Sequence, residues 1–141
     1  MGQDQGSIRE LFTELQMYQT YLDVEAALAR AQGKLEIIPR WAAEKISDTA
    51  NLELLDINNI NEGLKKTGHP LVPLIWELDR VCGPEAGGYI HWGATTQNIT
   101  QTAKLLQVKR CHSLYFKGIS DLLRTLAKLA EQSKDYVMPG R

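Results

Sequence analysis

Residues 98–137 read NITQTAKLLQVKRCHSLYFKGISDLLRTLAKLAEQSKDYV, a run with no proline and with Gly118 as its one glycine. Leu105, Val108, Cys111, Tyr115, Ile119, Leu122, Leu126, Leu129 and Tyr136 hold a helical period along it, which predicts one α-helix of about 60 Å at 1.5 Å per residue. A second stripe, through Ile99, Ala103, Leu106, Leu123, Ala127 and Ala130, widens the apolar arc beyond what one neighbour can cover. The remaining helical segments are too short to line its length. The helix is therefore expected to find partners in further sequence or in other subunits.

Immediately upstream, residues 88–103 read GYIHWGATTQNITQTA. Gly87 and Gly88, a Tyr-Ile-His-Trp segment and a Gly-Ala hinge lead into Thr95, Thr96, Gln97 and Asn98, so this is a loop feeding a helix N-terminus. Short oxygen-bearing side chains there can accept bonds from the first free N–H groups of the helix. The same N–H groups and the positive end of the helix dipole also suit a bound carboxylate or phosphate. Local chemistry leaves both readings open: a plain N-cap, or an anion seat.

The other segments are helical too. Leu11, Leu15, Tyr18, Leu22, Ala26 and Ala29 make one face of a first helix over 8–32, with Ser7 and Glu10 as a capping box and Gly33 as the stop. Pro39 opens a second helix to about Ser47, with Trp41 or Ala42, Ala43 and Ile46 facing inward. A third fits 52–66, bearing Leu55, Ile57, Ile60 and Leu64. Thr67-Gly68-His69-Pro70 then ends one helix and starts the next, which runs to about Cys82 and stops at Gly83-Pro84. Apart from residues 89–92, apolar and polar residues do not alternate. The fold class is all-α.

Composition narrows the function. The chain has 141 residues, the size of an ordinary domain, and a formal charge of −1 from 16 Lys and Arg against 17 Asp and Glu. No charged block suggests a nucleic-acid partner. No apolar run approaches the roughly 20 residues that span a bilayer, and the N-terminus lacks the regions of a signal peptide. Cys82 and Cys111 lack the spacing of a metal site or redox pair and read as buried thiols of a reducing compartment. These features place the protein in the cytoplasm, with neither nucleic acid nor membrane as a partner.

Four stretches together resemble the fumarase/aspartase superfamily: Leu22-Asp23-Val24-Glu25-Ala26-Ala27-Leu28-Ala29 followed by Ile37-Ile38-Pro39; Thr67-Gly68-His69-Pro70; His91-Trp92-Gly93-Ala94-Thr95-Thr96-Gln97-Asn98; and Met138-Pro139-Gly140-Arg141. The likeness is to the branch that holds adenylosuccinate lyase and 3-carboxy-cis,cis-muconate cycloisomerase, and it runs over nearly all of the chain. It implies a small N-terminal helical domain over residues 1–92. It also implies that 93–141 form the opening long helix of a central bundle domain, incomplete here, whose helices join four subunits into a homotetramer.

The resemblance also implies a site. Thr95 and Thr96 fall where the family's Thr-Ser pair binds a substrate carboxylate, with Gln97 beside them and Arg141 as a further substrate contact. His69 matches a substrate-contacting position, and His91 the histidine that opens the threonine loop. Both are candidate catalytic residues, because a histidine near its ordinary pKa of about 6.5 can donate a proton or hold an anion. For His69 the local alternative is a surface helix corner; for His91 it is a structural hydrogen bond beneath the loop. Thr96 replaces the usual Ser, and Asn98 and Gln101 replace usual acidic residues, which bears on substrate identity.

The implied chemistry is elimination or cycloisomerisation on a small polycarboxylate, with no metal and no organic cofactor. Pro70-Leu71-Val72-Pro73-Leu74-Ile75 leans toward the cycloisomerase and His69 toward adenylosuccinate lyase. Met138-Pro139-Gly140-Arg141 resembles the start of a Gly-Arg-Thr-His motif whose histidine is the usual general acid, and the loop that supplies the base lies further along in the family. The 141 residues are thus expected to be an N-terminal fragment, inactive alone and self-associating through the long helix. The alternative from another class is a non-catalytic helical assembly module.

Overall fold

The computed structural model describes residues 8–137, 139 and 140, so the expected cap at Ser7 and the expected substrate contact at Arg141 lie outside the described residues. All regular structure among them is helical: α1 (Ile8–Leu11), α2 (Glu14–Lys34), α3 (Arg40–Thr49), a 3-10 turn (Leu52–Leu54), α4 (Ile57–Thr67), α5 (Leu71–Cys82), α6 (Pro84–Gly87) and α7 (Thr96–Ser133).

The helix expected over 8–32 is two helices. Thr13 breaks it: in extended backbone, its hydroxyl donates to Glu10 O and accepts the Gln16 N–H, so it caps α2. Local side-chain hydrogen bonding here overrides the apolar period. Leu15, counted in the buried face, is 53% exposed. Gly33 is not the stop either. The helix passes it, and the left-handed residue is Glu36 at φ 58°. Gly33 is buried where a Cβ would run into Cβ of Ala43, so its lack of a side chain lets α2 and α3 close on each other.

In α3, Ala42 rather than Trp41 faces inward: Ala42 and Ile46 are fully buried while Trp41 is 49% exposed. The helix expected from Leu52 begins at Ile57, because Asp56 caps it through a bond from Asn58 N–H. Glu77 of α5 reinforces that start, accepting from Asp56 N–H and Asn59 Nδ2. Gly68 ends α4 in the left-handed conformation at φ 66°, and Gly63 admits Pro73 against α4. One core gathers Tyr18 and Leu22 of α2, Ile46 of α3, Ile60 of α4, Leu71, Leu74 and Leu78 of α5, and Ile99 and Ala103 of α7.

The long helix starts at Thr96 and ends at Ser133, four residues short of the expected end. It docks mainly on α2, with α1 and α5 beside it, burying Ile99, Ala103, Gln107 and Cys111. Gln107 donates to Leu11 O, and Arg110 reaches Thr20 Oγ1 and Asp23 Oδ2. The face that meets the body thus runs through Ile99, Ala103, Gln107 and Cys111 and crosses from one apolar stripe to the other, while Leu105 and Val108 face out. Beyond Cys111 no described residue is buried. Residues 112–133 extend the helix by roughly 33 Å at 1.5 Å per residue, with Ile119, Leu122, Leu123, Leu126 and Leu129 about half exposed.

Candidate active site

The start of α7 is capped as the composition of residues 95–98 predicts. Thr95 is extended, at φ −105° and ψ 155°, and forms a capping box with Asn98. The better-formed arm runs from Thr95 N–H to Asn98 Oδ1 at 3.0 Å. Thr96 and Gln97 occupy the first two helical positions, where backbone N–H groups have no acceptor within the helix. The first turn holds no acidic residue, so no side-chain charge offsets the positive end of the dipole. Thr96 is half-buried, while Thr95 and Gln97 are exposed. Asn98, where the family pattern has an acid, completes the cap.

The loop that delivers this turn is held from α2. His91 sits at φ 60° and Gly93 at φ 69°, and for a residue other than glycine that conformation is disfavoured unless the surroundings enforce it. Here a short bond enforces it: His91 Nδ1 lies 2.6 Å from Glu25 Oε1. Gln32 Nε2 donates to the carbonyl of Trp92 at 2.7 Å. On the outer side Tyr89 packs between Trp41 and Trp92, with ring centroids 6.1 and 6.5 Å apart. Glu25 is 2% exposed. Burial pushes its carboxyl above the usual range, and the His91 bond opposes that rise.

His69 occupies the α4–α5 corner, half-buried. Its backbone exchanges bonds with the Thr67 hydroxyl, and its Nδ1 accepts the Leu71 N–H at 3.2 Å. The ring therefore caps α5, and in the neutral form its proton resides on Nε2. Among the described residues no hydrogen bond joins His69 to His91, Thr95 or Thr96. A cleft of about 350 Å3 between α2 and the loop is lined by Val24, Leu28, Gly93, Ala94, Asn98 and Thr102 among others. A larger apolar groove of about 450 Å3 runs along Phe12, Cys111, Tyr115, Phe116 and Ile119.

Glu25 and Gln32 are the residues that reading for chemistry passed over. The signal for Glu25 was present: it falls between Leu22 and Ala29 on the apolar stripe of α2, where a carboxylate needs a partner.

No protein-family model matches the chain. Individual proteins do. Adenylosuccinate lyase of Methanocaldococcus jannaschii is 37% identical over 134 residues, 95% of this chain and 29% of that enzyme. The crystal structure of a fumarate lyase from Mesorhizobium sp. BNC1 superposes with a TM-score of 0.87 at 36% identity, covering 100% of this chain and 34% of that one. The structure of β-carboxy-cis,cis-muconate cycloisomerase from Acinetobacter calcoaceticus gives a TM-score of 0.87 at 27% identity, over 95% of this chain and 32% of the other. The chain belongs to the fumarase/aspartase superfamily. It spans less than a third of the length of the curated relatives it matches.

Proposed function

We propose that these residues supply the carboxylate-holding turn and two histidines of an enzyme that performs elimination or cycloisomerisation on a small polycarboxylate. The observation that carries this reading is the start of α7. Thr95 and Thr96 stand at the uncompensated positive end of a 38-residue helix, approached by a loop whose His91 is held in a strained conformation. In the lyase form a base removes a proton next to a carboxylate. Thr95, Thr96 and the first-turn N–H groups hold the dianion that develops, and an acid protonates the leaving group. His69, with Nδ1 committed to the helix cap, offers Nε2–H to the substrate, and Gln97 and Arg141 add contacts to its carboxylates.

The division falls near residue 92, with the short helices as an N-terminal domain and 93–141 as the opening helix of a bundle. The apolar side chains beyond Cys111 support this: they are covered by copies of the same helix, four subunits in the complete protein. The general acid and loop base of the resemblance lie outside these 141 residues, so the chain alone turns nothing over. We place the protein in the cytoplasm; Cys82 and Cys111 are buried free thiols, and no helix among the described residues is long and apolar enough to cross a membrane. The exposed half of α7 equally favours the second reading, a non-catalytic assembly module.

Substitution at Thr96 in the full-length enzyme separates the two. Thr96→Val deletes a hydroxyl that makes no cap bond, so the melting temperature should hold while kcat/KM for the polycarboxylate substrate falls by about 10² to 10³. Thr95→Val should lose activity similarly and about 1 kcal/mol of stability with its cap. Unchanged kinetics in both variants would overturn the site.

A further inference from the structure

The bond between Glu25 and His91 does more than fill the core. The Glu25 side chain is 1% exposed and that of His91 17%, so the carboxylate lies beneath the imidazole, which keeps an edge toward the surface. Gln32 is seven residues beyond Glu25 on α2, two turns along the same face. Through these two side chains one helix grips the ring of His91 and the carbonyl of Trp92. Only Gly93 and Ala94 then separate the gripped segment from Thr95. The grip therefore sets the direction in which the chain enters α7.

It also sets where the ring proton goes. A bare carboxylate is strongly disfavoured at this burial, and Glu25 Oε2 has no partner among the described residues. The net-neutral forms of the pair avoid that cost. In one, carboxylate faces imidazolium; in the other, the carboxylic acid donates to Nδ1 of neutral imidazole. Both leave a hydrogen on Nε2.

We propose that Glu25 is a positioning residue: it fixes His91 through Nδ1 and makes Nε2 a hydrogen-bond donor, fit for an anionic substrate oxygen and unfit to abstract a proton. The functional meaning rests on His91 belonging to the site proposed above. The proton's location does not, and it can be read without substrate.

The chain has three histidines, so long-range 1H–15N spectra of the ring-labelled protein at pH 7 resolve each ring once His69→Gln and His112→Gln assign the others. The wild-type His91 should show a protonated Nε2 in a single fixed form. In Glu25→Ala nothing holds Nδ1, so the single fixed form should give way to exchange between tautomers while His69 and His112 stay. Gln32→Leu, which frees the Trp92 carbonyl, should leave the Nε2 signal in place. An unprotonated or tautomer-averaged Nε2 in the wild type, which requires no variant to fold, overturns the proposal. So does a Glu25→Ala spectrum like the wild type's, or a Gln32→Leu spectrum like that of Glu25→Ala.

Discussion

Two glycine-to-alanine substitutions in helices should act with opposite signs. Alanine is favoured over glycine inside a helix by about 1 kcal/mol. At Gly118 that gain is uncontested: the residue is exposed, and a Cβ would meet nothing within 4 Å. At Gly33 the new Cβ would stand 2.5 Å from Cβ of Ala43, against the roughly 3.5–4.0 Å at which carbon atoms rest. Ala43 is on a helix and has no longer side chain to swing aside, so α3 as a whole must retreat by about 1 Å. Such overpacking costs about 1–3 kcal/mol, and the retreat loosens the fully buried Ala42 and Ile46. A contact this close falls in the upper part of that range, about 2–3 kcal/mol, so after the propensity gain is subtracted Gly33→Ala should lose about 1–2 kcal/mol, a melting temperature lower by roughly 3–8 °C for a domain of this size. Gly118→Ala should raise helical content with little change in the main transition, because no residue of α7 beyond Cys111 is buried against the core of its own chain. Far-ultraviolet circular dichroism during thermal and urea unfolding reads both. A Gly33→Ala protein as stable as wild type would refute the reasoning that close helix approach, and not chain termination, selects glycine there.

Two further outcomes follow from the geometry. Arg80 holds the carboxyl of Glu77 below its usual range, with help from the Asp56 N–H and Asn59 against the opposing effect of burial. A depressed folded-state pKa adds stability that is present above about pH 4.5, the ordinary value for the group, and is lost as pH falls through the lower folded value. Glu77→Gln should therefore flatten the acid limb of a urea-midpoint profile and cost about 1–3 kcal/mol at pH 7; an unchanged acid limb counts against this role. Leu122→Glu with Leu126→Glu should dissolve the self-association proposed for α7 and leave helical content intact, and a sedimentation mass identical to wild type would remove the helix face from the interface.

Much of this molecule was legible in one dimension. Helical period, the Gly68 left-handed stop and the short polar side chains before Ile99 specify an all-α chain with a capped long helix, because period and capping depend on residues three and four apart. Side-chain competition with the backbone was less legible: Thr13 and Asp56 each start a helix where the apolar pattern alone would have run on. Which apolar positions of α7 would be covered was not legible either, since both stripes are apolar and only docking against the rest of the fold selects Ile99 and Ala103 from one and Cys111 from the other. The same holds at the site. Histidine, threonine and glutamine announce themselves by type, but His91 is 66 positions from Glu25. Pairing a buried carboxylate with a ring across that separation takes the packing of the loop on α2, which no local rule contains.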